Sequence, residues 1–311
     1  MKIAIESKIP FINGIFEAAG HEVTYLSPEE FTANSVKNFE ALVIRTRTKC
    51  DESLLKDSKV KKIATATIGT DHIDLDYCKS RGIDIYNAPG CNAPAVAQYV
   101  LSSISTLGKK GKLGIVGVGN VGSIVNRWAQ YNDIETLLCD PPLGKPYSLE
   151  QLTEEADIIT FHTPLDASTF HLADAKFFAS LKRKPLIINA ARGPVIDTNA
   201  LIDAIKQGHV CGAVIDCWEE EPNINNELLN LAQITTPHIA GYSIEGKRRA
   251  TAMAVCAIDP SIDLHIDSIT EFASLTKICA TYNPLKDSAL LKAQPNKFET
   301  LRNNYDYRQE P

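Results

Sequence analysis

Short apolar runs and helix-spaced segments alternate along this 311-residue chain almost to residue 258. The runs Ile3–Ile5, Ala41–Ile44, Ile63–Ala66, Leu113–Val118, Thr136–Cys139, Ile158–Phe161, Leu186–Asn189 and Ala213–Ile215 are short and often β-branched, as strands are. Between them lie segments with helical spacing, among them Leu149–Ala156, Asp174–Leu181 and Thr198–Lys206. This rhythm predicts parallel sheets with helices on both faces, in two doubly wound α/β domains. Asn92–Leu107 has helical periodicity and no internal glycine, which suits a connector between domains. A further helix runs from Gly241 to about Ala257, and Asp259-Pro260 ends it. The expected division is residues 1–92 with 239–258, then 93–238, then a small α/β tail over 259–311. The tail is too short for a core of its own, so it is expected to pack on a second copy of the chain.

Composition narrows the class. A hydrophobic content of 44% and a charged content of 23% are ordinary for a soluble enzyme. The net charge of −6 argues against nucleic acid as a partner. No apolar stretch is long enough for a bilayer, and Met1-Lys-Ile-Ala-Ile-Glu6 enters a strand pattern at once, so the expected compartment is the cytoplasm. The eight cysteines form no C-x-x-C pair and sit mostly in apolar runs, which reads as buried, reduced thiols. The seven histidines show no metal-ligand spacing either, and no metal site is expected.

The most specific signal is Leu113-Gly-Ile-Val-Gly-Val-Gly-Asn-Val-Gly122, a G-x-G-x-x-G set between a strand-like and a helix-like run. Gly117 permits the tight turn, Gly119 lets the backbone approach a pyrophosphate, and Gly122 lets helix and strand pack closely. Asn120 and Val121 open the helix, whose N-terminal N–H groups suit phosphate. Asp140 ends the next strand-like run, where it can accept hydrogen bonds from ribose hydroxyls and would repel a 2′-phosphate. The cofactor expected is therefore NAD rather than NADP.

Three polar residues follow predicted strands of the same domain. Arg192 comes after Leu186–Asn189, Glu221 after Ala213–Ile215, and His238 ends Ile234-Thr-Thr-Pro-His. Singly they have dull readings: a surface cation, one of a solvated acidic run, a satisfied strand-end histidine. Together they match what hydride transfer at a 2-hydroxy acid requires. A guanidinium grips the carboxylate, a histidine takes the hydroxyl proton, and a carboxylate orients the histidine and favours its imidazolium form. Glu221 rather than Glu219 or Glu220 is chosen because it directly precedes Pro222.

The chain resembles the NAD-dependent D-2-hydroxyacid dehydrogenases. The segments that carry this are Ala64-Thr-Ala-Thr-Ile-Gly-Thr-Asp-His-Ile-Asp74, Ala88-Pro-Gly-Cys-Asn-Ala93, the glycine loop, Leu138-Cys-Asp-Pro-Pro142, Phe161-His-Thr-Pro-Leu165, Asn189-Ala-Ala-Arg-Gly-Pro194, Asp216-Cys-Trp-Glu-Glu-Glu-Pro222 and His238-Ile-Ala-Gly-Tyr-Ser-Ile-Glu-Gly-Lys247. Within the family, the A-P-G-C-N, C-D-P-P and H-I-A-G-Y strings resemble the branch that oxidises 4-phospho-D-erythronate to 2-oxo-3-hydroxy-4-phosphobutanoate in pyridoxal 5′-phosphate biosynthesis. The resemblance implies that Arg192 holds the substrate carboxylate, that His238 moves the proton, and that Glu221 is its partner. It further implies NAD contacts at Asp140, Thr163, Asp216 and Gly241, and substrate contacts at Thr46, Thr67 and Tyr242. Tyr282-Asn-Pro-Leu-Lys-Asp287 and Phe298-Glu-Thr-Leu-Arg-Asn-Asn-Tyr305 resemble that branch's C-terminal dimerisation domain, which implies a homodimer.

A phosphorylated substrate needs cations. Arg45, Arg47 and Lys49 surround Thr46, and Arg45 or Lys49 is the expected phosphate contact; the alternative is a solvated basic loop. The stretch Gly108–Lys112 and the loop Pro141–Pro146 are shorter than relatives usually have. Two other functions stay open: a dehydrogenase of another D-2-hydroxy acid such as phosphoglycerate or glycerate, and an NAD-sensing regulatory protein.

Overall fold

A computed structural model describes all 311 residues. The chain divides into two compact units. One comprises Met1–Asn92 with Ile244–Ser268; the other comprises Ala93–Ser243 with Ile269–Pro311.

The first unit is built on β1 (Lys2–Glu6), β2 (Glu22–Leu26), β3 (Ala41–Ile44), β4 (Lys62–Thr65) and β5 (Asp84–Tyr86). They form a wholly parallel sheet in the order β2-β1-β3-β4-β5, with Ile3 opposite Ala41 and Ala41 opposite Lys62. Because side chains alternate between faces, each strand supplies two cores. Ile3, Ile5, Val43 and Ala64 pack against Ala250, Ala254, Val255 and Ile258 of the helix Ile244–Ile258. Ala4, Leu42, Ile44 and Ile63 pack on the other side with Val36, Leu55 and Cys78. Double burial is why these strands read as apolar runs rather than as alternating patterns.

The second unit carries β6 (Leu113–Val116), β7 (Thr136–Cys139), β8 (Ile158–Phe161), β9 (Leu186–Asn189), β10 (Gly212–Ile215) and β11 (Ile234–Thr235). They too are all parallel, in the order β11-β10-β9-β8-β6-β7. On one face Ile115, Ile158, Ile188 and Val214 meet Tyr99 and Val100 of the helix Ala93–Thr106 and Ile124 and Trp128 of the helix Asn120–Tyr131. On the other face Val116, Ile159, Phe161, Ile187 and Ile215 meet Leu152, Phe178 and Leu201. The order 3-2-1-4-5-6 common in dinucleotide-binding sheets has one more strand outside the second. Here β7 is the edge, and between it and β8 stand only the turn Pro141–Leu143 and the helix Leu149–Glu155. The short loop at Pro141 leaves no residues for that outer strand.

Three expectations are corrected. The tail has no strand: Leu275–Thr281, Pro284–Ala293 and Phe298–Asn303 are helices, and its only β feature is a single bridge between Ser243 and Arg308. Helix-start chemistry explains this, with Ser274 capping the first helix and Asn283 followed by Pro284 opening the second. The tail has no core of its own, as expected, but it packs on its own chain and not only on a second copy. Ile278 and Tyr282 join one core of the second unit, and Leu291 and Phe298 join the other. Ser288 Oγ accepts the Thr235 N–H at 3.0 Å, so the helix Pro284–Ala293 covers the outer edge of β11. Lastly, the unit boundary falls after Ser243 rather than at 238, because Ile239 and Ala240 donate their N–H groups to Asp216 within the second unit.

No cysteine is in a disulfide, but the burial expected of all eight holds for five. Cys211 is exposed, and Cys256 and Cys279 are half-buried. No helix is long and apolar enough to cross a membrane.

Candidate active site

Parallel strands deliver the groups that follow them to one end of the sheet. In the second unit the loops after β6, β7 and β8 form one cluster, and those after β9, β10 and β11 form another. The first cluster suits a dinucleotide. Gly117 has φ 88°, and a Cβ there would lie 2.7 Å from the His162 carbonyl carbon; a Cβ on Gly122 would overlap the Gly117 carbonyl oxygen. Both glycines are therefore sterically required. The helix Asn120–Tyr131 starts after Gly119 with no side-chain cap, which leaves its first N–H groups available to phosphate. Asp140 lies beside the loop, its Oδ2 accepting the Val118 N–H at 2.7 Å and its Oδ1 accepting from Leu143 at 3.2 Å. Across the loop, Thr163 Oγ1 and His162 Nδ1 are buried without a hydrogen-bond partner. Burial pushes His162 down to about 3, so its ring is neutral. Two orphaned polar atoms against a glycine loop fit a cofactor that supplies their partners.

The second cluster carries the acid–base chemistry. β11, β10 and β9 are sheet neighbours, so His238, Glu221 and Arg192 emerge from adjacent strand ends. His238 Nδ1 lies 2.8 Å from Glu221 Oε2 and 3.0 Å from Oε1. Burial alone would raise the Glu221 pKa. The charge of His238, its hydrogen bond, the Trp218 N–H at 2.9 Å and Arg302 together outweigh burial and hold it below the usual range. Glu221 is thus an ionised acceptor, so Nδ1–H donates to it and Nε2 is left to exchange a proton with a bound molecule. His238 itself has φ 57°, in the left-handed region that a residue with a Cβ seldom adopts. Its backbone is held there from within the unit: His238 N–H donates to the Asp216 carbonyl, while Ile239 and Ala240 donate to the Asp216 carboxylate at 2.8 and 3.0 Å.

Asp216 is almost fully buried, and Thr236 Oγ1 also donates to it at 2.7 Å, so its carboxylate organises the histidine loop. Gly241 lies in that same loop. Arg192 is half-buried, its backbone carbonyl accepting from Asn189 Nδ2 at 2.9 Å and its Nη1 donating to the Ala191 carbonyl at 2.9 Å.

Sequence reading missed two neighbours of the pair. Cys217 Sγ lies within 4.8 Å of the Glu221 and His238 ligand atoms, and its thiol donates to the Ala191 carbonyl. Burial, then Asp216 and Glu221, push that thiol well up, so it stays protonated. Arg302, from the final helix, lies 3.6 Å from Glu221 Oε2, and its Nε donates to the Tyr242 hydroxyl at 3.3 Å. Nothing in the local pattern around Arg302 announces this, because the contact spans the tail and the sheet.

The remaining candidates belong to the first unit, after its central strands. Thr46 is exposed beyond β3, and Thr67, beyond β4, shares a hydrogen bond with Thr65 Oγ1 at 2.8 Å. Arg45 is engaged by the buried Glu6, with Nη2 at 2.6 Å and Nε at 2.8 Å from Oε1. Lys49, 80% exposed, pairs with Asp51 at 2.9 Å. Both expected phosphate cations thus already hold a carboxylate.

Comparison with known proteins agrees with this geometry. The sequence model of the D-isomer specific 2-hydroxyacid dehydrogenase NAD binding domain matches residues 101–240. An erythronate-4-phosphate dehydrogenase of Bacteroides thetaiotaomicron is 48% identical, aligned over all of this chain and 97% of its own length. One from Escherichia coli O127:H6 is 39% identical over all of this chain and 92% of its own. Among solved structures, NAD⁺-bound 3-phosphoglycerate dehydrogenase of Entamoeba histolytica superposes with a TM-score of 0.72 at 26% identity, covering 87% of this chain and 99% of that one. The cofactor is NAD, as the glycine loop and Asp140 indicated. The chain belongs to the NAD-dependent D-2-hydroxyacid dehydrogenases, in their erythronate-4-phosphate dehydrogenase branch.

Proposed function

We propose that this protein oxidises 4-phospho-D-erythronate at C2, giving 2-oxo-3-hydroxy-4-phosphobutanoate and NADH in the synthesis of pyridoxal 5′-phosphate. The observation that carries the chemistry is the His238–Glu221 pair, which leaves Nε2 as the proton acceptor beside the strand end that bears Arg192. Arg192 takes the substrate carboxylate in its planar fork and fixes C2. His238 Nε2 removes the C2 hydroxyl proton as the C2–H bond breaks, and the electron pair of the O–H bond becomes the new C=O π bond. Glu221 stabilises the imidazolium formed, which then loses its proton to solvent. NAD, when bound, supplies acceptance of the hydride. The cofactor contacts we assign are Gly117, Gly119, Asn120, Val121, Gly122, Asp140, Thr163, Asp216 and Gly241.

Thr46, Thr67 and Tyr242 are assigned to the substrate. Of the loop cations, Lys49 is the one able to turn to a phosphate, since an exposed ion pair is weak and easily exchanged, whereas Arg45 neutralises a buried carboxylate. We further assign a homodimer made through the tail, where Phe272, Leu285 and Leu290 are exposed apolar residues, and a cytoplasmic location, in keeping with eight cysteines outside any disulfide.

The test is NADH formation with 4-phospho-D-erythronate, D-erythronate, 3-phosphoglycerate and glycerate under one set of conditions. A clear preference for the first is expected. Preference for another acid would keep the mechanism and overturn the substrate.

A further inference from the structure

Two arginines of the tail reach the catalytic loop from different directions. Arg308 is buried, with its guanidinium 4.1 Å from the Tyr282 ring centroid. It donates to the carbonyls of Ile239 at 3.0 Å and Tyr242 at 3.2 Å, and also to that of Ala240. These carbonyls belong to the loop that begins at His238. Arg302 acts on the other side of the pair, through Glu221 Oε2 and the Tyr242 hydroxyl, with only 16% of its side chain exposed. The Tyr242 ring is further fixed by edge-on contacts with Tyr305 and Tyr307 of the same tail.

We infer that Arg302 is a positioning residue for the proton-transfer step: its guanidinium holds the Glu221 carboxylate and the Tyr242 hydroxyl in register with His238, so that the tail completes the acid–base apparatus. The inference rests on the dehydrogenase reading above. Burial works against the charge of Arg302, but Tyr242 and Glu221 more than offset it, so the group is a permanent cation. A cation 3.6 Å from Glu221 Oε2 opposes proton binding by the Glu221–His238 pair. The other charged or titratable groups around the pair are Asp216, Cys217, Arg192 and Tyr242, with Glu299 on the helix of Arg302. None of them is altered in the test.

The experiment compares the wild type, Arg302→Gln and Arg302→Lys in two ways. The first is the pH profile of kcat/KM for oxidation. The second is the titration of the Glu221–His238 pair, followed by histidine NMR on protein without substrate. Loss of a nearby cation favours protonation, so Arg302→Gln should move both the acid limb and the NMR midpoint up by about half a pH unit or more. Its kcat should fall about ten- to a hundredfold, as misplacement of a catalytic group does. Arg302→Lys should restore the pH behaviour and recover part of kcat. An unshifted NMR midpoint in a folded Arg302→Gln protein overturns the inference, as does a kcat loss with an unmoved acid limb. If the wild type is silent on every hydroxy acid, the dehydrogenase reading fails, and the NMR titration still decides whether Arg302 controls the pair.

Discussion

At the residue scale, the assignment of His238 makes a direct claim. His238→Asn should lower kcat by about two orders of magnitude or more, since it removes the proton acceptor, while NAD affinity measured by NADH fluorescence stays close to that of the wild type. His162 makes a different claim, about stability. Its folded-state value is depressed from 6.5 to about 3, so the unfolded chain binds the proton first as pH falls. Stability from this residue is complete above about pH 6.5 and declines by about 1.4 kcal/mol per pH unit between there and pH 3. Urea melts at stepped pH should show that decline in the wild type and a shallower one in His162→Gln. Arg192, Glu221 and His238 could be singled out from sequence because each lies in a loop that follows a strand-like run, and parallel strands deliver such loops to one end of the sheet. Arg302 could not, because an arginine in a short amphipathic helix looks the same whether it meets solvent or a buried carboxylate. The internal duty of Asp216 was hidden for a related reason: burial of a carboxylate is a property of the folded loop, not of the residues beside it.

At the scale of elements, strands and long helices were legible wherever double burial produced unbroken apolar runs, as in Ala41–Ile44 and Leu186–Asn189. The tail defeated the same reasoning. Its helices share apolar residues with a sheet made much earlier in the chain, so their pattern is incomplete when read alone. Phe298 is fully buried in one core of the second unit, and Phe298→Ala should cost about 3–5 kcal/mol in denaturant titrations. Ser288→Ala removes the partner of the Thr235 N–H and should cost about 1 kcal/mol, although the residue is remote from the catalytic groups in sequence. The turn at Gly117 allows a sharper contrast. Gly117→Ala combines a positive φ with a clash against the His162 backbone, so NAD titration calorimetry should find binding weakened at least tenfold.

For the molecule as a whole, a site that binds NAD only when folded must be stabilised by it. At a hundredfold excess over Kd the gain is about 2.7 kcal/mol, seen as a rise in the melting temperature that a tenfold loss of affinity in Gly117→Ala would cut by about half. Light scattering should report twice the chain mass, and charged substitutions at Leu285 and Leu290 should reduce it to that of one chain.

The first unit is assembled from two stretches of sequence, with the whole nucleotide-binding sheet encoded between them. The helix Ile244–Ile258 that covers Ile3, Ile5, Val43 and Ala64 is therefore missing when those strands leave the ribosome. At about 5–20 residues per second the remaining stretch takes about ten to thirty seconds to translate. For that interval one face of the nascent sheet is bare. This is the period in which chaperone capture, or aggregation in its absence, would act on this chain, and a permuted gene encoding residues 244–268 ahead of residue 1 would remove it.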